Sequence, residues 1–188
     1  MFFQNLFEYM SDSITILTPA WIAVSLLFGI LIGILDRRRD SVFGIVTEIL
    51  LVGYVALILG STVLLRGQKL TADPSLSPFS TYRGWISGAH PRFLYEDVSN
   101  ILMTVPVGLG VSVLAKRLRA LKALGITVVL EVMIEACQYL LRRGVCEIDD
   151  VINGAIGALI GYVFYLAGAG VVRLVTGIQK RKEKSNYV

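Results

Sequence analysis

The feature that most constrains this sequence is a series of long, continuous apolar runs. A helix rises about 1.5 Å per residue, so about 20 apolar residues cross the roughly 30 Å hydrocarbon core of a bilayer. Inside hydrocarbon only helices and closed barrels satisfy the backbone hydrogen bonds, and these runs do not alternate as barrel strands do. Hydrophobic residues make up 55% of the chain. The sequence therefore predicts an all-α integral membrane protein.

About five transmembrane helices are expected, in a single domain that covers residues 1–188. The predicted spans cover residues 14–35, 42–65, 100–115, 123–141 and 151–176. The third is short and contains Pro106, which indicates either a kink or a start one turn earlier. Apolar residues recur at helical spacing over positions 2–10 and predict an interfacial amphipathic helix. Residues 66–99, rich in proline and aromatic residues, predict a structured outer loop lying on the bilayer.

The distribution of basic residues predicts the orientation of the chain. Segments 37–39, 116–122 and 180–184 together hold eleven lysines and arginines, whereas the loops on the other side hold six. Short basic segments mark the cytoplasmic side, so the N-terminus should be outside and the C-terminus cytoplasmic in a multi-pass cell-membrane protein. The net charge of +4 then reflects these segments, and we expect no nucleic-acid partner.

Cysteine and histidine content gives no support to metal or redox chemistry. The two cysteines, Cys137 and Cys146, do not form a metal-type spacing with the single histidine, His90. His90 precedes Pro91 in the outer loop, which favours a surface position. We expect no metal site and no cofactor.

A stripe of polar residues runs along the fourth predicted helix. Glu131, Glu135, Gln138 and Arg142 follow one another at i, i+4, i+7 and i+11, so they share one face. A carboxylate in hydrocarbon costs roughly 2.5–3.5 kcal/mol, so Glu135 is expected to be paired, hydrogen-bonded or protonated. It either joins helices through an Arg or Asn partner or belongs to a functional site.

The turn after this helix carries further polar groups. Asp149 or Asp150 could cap the first turn of the fifth helix, or contribute to a site with Asn153 and with Asn100 of the third span. The predicted outward-facing polar site consists of Asn100, Glu135, Gln138, Arg142, Arg143, Asp149, Asp150 and Asn153.

Small residues on the last helix predict close helix packing. Gly154, Gly157 and Gly161 contain a G-x-x-x-G step, which lets a neighbouring helix approach and also allows homo-oligomerisation. The predicted packing residues are Pro106, Gly108, Gly154, Gly157 and Gly161.

Residues 76–162 resemble the VanZ-like family. The resemblance rests on the order Asn100, Pro106-x-Gly108, Glu135-x-x-Gln138, Arg142 or Arg143, Asp149-Asp150, Asn153 and Gly157 to Gly161, and on the segment Leu76-Ser77-Pro78-Phe79. Ser75 and Thr104 depart from the family pattern, and either aspartate fits its spacing. The resemblance implies a bacterial membrane protein linked to tolerance of glycopeptide antibiotics, especially lipid-bearing ones such as teicoplanin. It implies no particular reaction.

Three functions fit these residues. The polar site could recognise or shield a lipid-linked cell-wall precursor or a lipoglycopeptide, with Arg142 or Arg143 contacting an anion. An intramembrane enzyme acting on a lipid or lipid-linked precursor could use Glu135 as general acid or base with one aspartate as partner. A small proton-coupled transporter could be gated by Glu131 or Glu135. The residues leave open whether any reaction is catalysed.

Overall fold

The computed structural model describes residue 2 and residues 4–6, 42–67 and 73–185. The described residues form helices and connecting segments, without a strand. The helices are α1 (Val42–Leu59), continued by a π-helical turn (Gly60–Leu64), α2 (Ser80–Ile86), α3 (Phe93–Leu114), α4 (Arg119–Leu140) and α5 (Ile148–Ser185). The predicted all-helical class is confirmed.

Three of the described helices are long and apolar enough to cross a membrane. The candidate spans are Val42–Leu64, Phe93–Leu114 and Ile148–Ile178. With 22 residues, α4 has the length of a span, but it carries basic residues in its first turn and two buried glutamates further along. The span predicted at 14–35 and most of the N-terminal helix fall outside the described residues. The count of five spans therefore stays a prediction.

Two helix starts differ from those predicted. The third predicted span begins at Phe93, two turns before Asn100, so the outer loop is shorter than residues 66–99. Proline and aromatic residues made this stretch look like part of the outer loop, yet Asp97 lies in α3 and is buried and hydrogen-bonded inside the bundle. The fourth begins at Arg119, four residues earlier than predicted. Its first turn accommodates two basic residues, because Arg119 donates to the Ser112 carbonyl oxygen at 3.2 Å and Lys122 is exposed.

The closest helix contact joins α3 and α5. A Cβ atom added at Gly157 would overlap the Ile101 carbonyl oxygen and the Thr104 hydroxyl, and one at Gly161 would overlap the Val105 carbonyl oxygen. Gly108 of α3 meets the backbone of Ala158 in the same way. Glycine is needed at these positions because the two backbones themselves are in contact.

The proline of α3 is exposed and lies one turn after a contact between α3 and α1. Pro106 has no N–H and cannot complete the helical hydrogen bond to residue 102. Close to this point the Tyr54 hydroxyl of α1 donates to the Met103 carbonyl oxygen at 2.9 Å. The Tyr54 side chain thus supplies a hydrogen bond from α1 to a backbone carbonyl of α3 that lies close to Pro106.

Replacing Gly157 by alanine should destabilise the α3–α5 contact, because the new methyl group overlaps atoms of α3. We expect a loss of about 2 kcal/mol, measured as a lower thermal midpoint in detergent. The matched control is Gly170→Ala on the same helix, where a Cβ meets nothing and greater helix propensity should keep or raise the midpoint. Equal midpoints for the two variants would contradict this packing.

Candidate functional site

Asp149 fastens the short helix α2 to the start of α5. This aspartate is completely buried, at 0% exposure. Its Oδ1 accepts a hydrogen bond from the Phe79 N–H at 2.5 Å, and its Oδ2 accepts from the Ser80 hydroxyl at 3.0 Å and the Thr81 N–H at 2.8 Å. The first N–H groups of a helix have no partner within it, so a carboxylate there is favourable. Asp149 therefore caps α2, although the sequence suggested capping of its own helix.

A second buried carboxylate, Asp97 of α3, binds the same part of the chain. The indole N–H of Trp85 donates to Asp97 Oδ2 at 3.0 Å. The Thr81 hydroxyl and the Asn153 amide each lie 2.9 Å from Asp97 Oδ1. Asp97 thus joins α2, α3 and α5.

The hydroxyl of Thr81 lies between these two carboxylates. It is 2.9 Å from an oxygen of Asp97 and 2.9 Å from an oxygen of Asp149. A hydroxyl has one proton, so it donates to one carboxylate at a time. The phenol of Tyr82 completes this group by donating to the Asn153 side-chain oxygen. Its pKa is raised by burial and then by the charges of Asp97 and Asp149, so it stays a hydrogen-bond donor.

The second polar group surrounds Glu135 and Asp150. Their side chains form a hydrogen bond with each other, which requires a proton on one of the two carboxyl groups. Glu135 also accepts from the backbone N–H of Glu147 at 2.8 Å, and Asp150 accepts from the Asn100 amide at 2.6 Å. Three separate parts of the chain therefore meet at this carboxyl pair.

Glu131 lies one turn below Glu135 on α4 and is buried, at 2% exposure. A Cβ atom at Gly154 would overlap its side chain. Gly154 therefore makes room for a carboxyl group, whereas Gly157 and Gly161 make room for backbone.

The turn after α4 begins with a left-handed residue. Arg142 has φ 54°; its N–H binds the Tyr139 carbonyl at 3.2 Å, and the Arg143 N–H binds the Gln138 carbonyl at 2.8 Å. This pair of bonds is the Schellman helix ending, usually formed with glycine. Arg142 itself is exposed.

Arg143 and Gln138 bind the end of α1 instead of the carboxyl groups. The Arg143 guanidinium donates to the carbonyl oxygens of Val63, Leu64 and Arg66. The Gln138 amide donates to the Thr62 carbonyl at 3.2 Å. A cation at the carbonyl end of a helix is favourable. These two side chains hold the ends of α1 and α4 together.

The same turn is paired with the segment before α2. The Ser75 N–H binds the Cys146 carbonyl at 2.8 Å, and the Ile148 N–H binds the Ser75 carbonyl at 3.0 Å. Burial, then nearby carboxylates beginning with Asp150, raise the pKa of Glu147 to about 7. Burial, then Glu135, raise the pKa of Cys146. The thiol is therefore a poor nucleophile.

The structure brings most of the predicted site residues together. Those in the two carboxylate groups are Asn100, Glu135, Asp149, Asp150 and Asn153. Gln138 and Arg143 lie beside them and bind α1, and Arg142 forms the turn. The two aspartates have different partners: Asp149 binds α2, and Asp150 binds Asn100 of α3.

Sequence reasoning missed several members of the site. They are Thr81, Tyr82, Trp85, Asp97 and Glu147. Asp97 precedes Asn100 by three residues and shares its helix face, a signal that an earlier start for α3 would have revealed. The α2 residues gave no such signal, since their partners are distant in the chain.

The chemistry available here is that of carboxyl groups and hydrogen-bond donors. Among the described residues, no group of three or more His, Cys, Asp or Glu side chains has an arrangement suited to a metal ion. The Glu135–Asp150 pair can hold and transfer a proton. The arrangement can also bind a polar group through carboxylate oxygens.

Replacing Asp149 by asparagine should release α2, because the carboxylate's charge-assisted hydrogen bonds to the Phe79 and Thr81 N–H groups are weakened. We expect about 2 kcal/mol less protection, hence at least tenfold faster amide exchange in residues 79–86 by hydrogen–deuterium exchange. Asp73→Asn, at an exposed position nearby, is the control. Unchanged exchange in the Asp149 variant would contradict the cap.

The raised pKa of Glu147 predicts a pH-dependent stability. An unperturbed glutamate ionises near 4.5 and folded Glu147 near 7, so between these values the folded protein holds a proton that the unfolded chain releases. Stability should fall as pH rises through this window and level off above it. In Glu147→Gln this part of the slope should disappear from detergent-denaturation midpoints. A variant whose slope equals that of the wild type would refute the assignment.

Comparison with known proteins gives one match. The sequence model of the family described as VanZ/LLP1 matches residues 45–172, more than half of the chain. The match confirms the resemblance noted in the sequence. Neither a curated protein nor a solved structure matches the chain.

Proposed function

The chain belongs to the VanZ/LLP1 family, and we propose that it is a cell-envelope membrane protein that contributes to tolerance of teicoplanin and related lipoglycopeptides. In this proposal the polar site recognises or shields a lipid-linked envelope component. The three apolar helices that could span a membrane support a lipid-bilayer setting.

The observation that carries the proposal is the position of the carboxyl groups beside an apolar surface. Asp150 and Glu147 are partly exposed at the end of the bundle. In the segment paired with them, Leu76 is 67% exposed, and at the end of α2 Ile86 is 69% exposed. Partly exposed carboxyl groups bordered by exposed apolar side chains suit an amphiphile, whose head group and chain need different surroundings.

The charges of the site restrict which head group it accepts. Carboxylate oxygens accept hydrogen bonds, so the Glu135–Asp150 pair favours amide, hydroxyl or ammonium groups. Arg143 is already bound to three carbonyl groups. Arg142, exposed in the adjacent turn, is the arginine that remains for a phosphate of the same ligand.

An outward orientation of the site is part of the proposal. The α3–α4 connection, at the opposite end of these helices, carries Lys116, Arg117 and Arg119, as expected on the cytoplasmic side. The Asn5 amide donates to the Tyr95 hydroxyl at 3.1 Å. Because Tyr95 lies at the start of α3, Asn5 lies at the end of the bundle that contains the polar site. A crossing by residues 14–35, together with one by α4, would account for five spans.

A second candidate is an intramembrane enzyme acting on a lipid or lipid-linked precursor. The observation that favours it is the hydrogen-bonded pair of carboxyl groups of Glu135 and Asp150, since a carboxyl pair can divide acid and base roles. Mass spectrometry of envelope lipids with and without the protein separates the two. A new or missing lipid species would support catalysis, whereas an unchanged profile would favour recognition.

Glu135→Gln should lower teicoplanin tolerance in a susceptible host towards the level of cells that lack the protein. The reason is that a glutamine amide cannot form the pair of carboxyl groups that Glu135 forms with Asp150. Tolerance is measured as the inhibitory concentration, with membrane levels checked by immunoblot. Asp73→Asn, outside the site, should retain wild-type tolerance. If the Glu135 variant is inserted at normal levels and protects fully, the site has no role in tolerance.

A further inference from the structure

Two buried polar groups on α4 lie deeper in the bundle than the Glu135–Asp150 pair. Neither has a hydrogen-bond partner within the described part of the chain. They are the Thr127 hydroxyl, at 0% exposure, and one oxygen of Glu131, at 2% exposure. Thr127 and Glu131 are four residues apart, so they lie on the same helix face about 6 Å from each other. Glu135 follows one turn further on.

A buried polar group without a partner is costly, so these two atoms need a small polar ligand. Single water molecules commonly satisfy such groups, and one water can join two atoms separated by two hydrogen-bond lengths. Thr127 and Glu131 lie one helical turn apart on the same face, so a water molecule between them can reach both groups. The site is also too enclosed for a larger ligand, because Gly154 packs directly against the Glu131 side chain.

Burial first, and then the neighbouring titratable groups, determine the protonation state of Glu131. The titratable side chains packed around this part of the bundle are Tyr54 on α1, Tyr82 on α2, Glu96 and Asp97 on α3, Glu135 on α4, Cys146 and Glu147 in the turn, and Asp149 and Asp150 on α5. Every one of these is acidic. The nearest described arginine of the turn, Arg143, donates to the end of α1. A buried glutamate surrounded by acids favours its neutral form.

We propose that Glu131 is a proton-binding residue at the inner end of a hydrated path, which consists of Thr127, Glu131, Glu135 and Asp150 and opens at the turn. Asp150 and Glu147 are partly exposed there and provide the entrance. Ordered water joins Thr127 to Glu131.

The path ends inside the bundle. One turn before Thr127 the same helix face carries Ala123, which is buried in the apolar core together with Val107 and Val111. Protons therefore enter and leave by the turn, and the path binds protons without conducting them across the protein. This inference goes beyond the proposed function, and it does not depend on which ligand the site accepts. Protonation of these carboxyl groups would, however, change the charge that a ligand encounters at the site.

Infrared spectroscopy of the protein in lipid vesicles tests the proposal without any ligand. Wild-type protein labelled with ¹³C-carboxyl glutamate should show the carbonyl band of a protonated glutamic acid, and the band should shift after transfer to D₂O. In Glu131→Gln the component of this band that comes from Glu131 should be lost, while any component from Glu135 or Glu147 remains. Thr127→Val should shift its frequency, whereas Thr47→Val, which removes a hydroxyl bound to its own helix, should leave it unchanged.

Either of two results would overturn the proposal. The first is a wild-type spectrum without a protonated glutamic acid band that depends on Glu131. The second is a Glu131 band that stays unshifted in D₂O, which would mean that no protons reach it. If Glu131→Gln fails to fold, Glu131→Asp serves instead, since unlabelled aspartate also removes the ¹³C band. A change of lipid profile or antibiotic tolerance does not enter this test.

Discussion

Asp149 is the side chain on which the arrangement of this end of the bundle depends. A helix of seven residues is not stable alone, because the first turn costs more than its few hydrogen bonds return. The carboxylate of Asp149 binds the N–H groups of Phe79 and Thr81, and Asp97 binds Trp85 at the other end of α2. Two buried carboxyl groups, one on α3 and one on α5, thereby hold α2 in place beside the site.

The carboxyl groups also explain how charged side chains are accommodated in so apolar a protein. Asp149 and Asp97 are surrounded by hydrogen-bond donors, whereas the carboxyl groups of Glu135 and Asp150 are hydrogen-bonded to each other. Both solutions avoid an isolated buried charge, which would be far more costly. The hydrogen bonds of Asp149 and Asp97 fix the structure. The Glu135–Asp150 pair remains able to exchange protons or bind a ligand. Asp149 and Asp97 therefore have a structural role, whereas the neighbouring Glu135 and Asp150 have the role in the proposed function.

Much of this arrangement could be predicted from the sequence, and the remainder depends on contacts distant in the chain. Helical spacing correctly placed Glu131, Glu135 and Gln138 on one buried face. It could not show that Gln138 binds a carbonyl of α1, or that Asp149 caps a helix about 70 residues earlier. Hydropathy correctly predicted three helices long and apolar enough to cross a membrane. It started α3 too late, because hydrogen bonds from other helices compensate the burial of Asp97. Local pattern indicates which face is buried, whereas partners are set by the tertiary fold.

The most direct test of this account is a double-mutant cycle between Asp149 and Thr81, measured by reversible unfolding in mixed micelles. The variants are Asp149→Asn, Thr81→Val and the combination. Since the Thr81 hydroxyl lies 2.9 Å from the Asp149 carboxylate, we expect a coupling free energy of about 1.5 kcal/mol or more, as for hydrogen bonds to charged groups. A coupling near zero, together with an unchanged stability of Asp149→Asn alone, would show that α2 is held by other contacts, and the account of the site would be wrong.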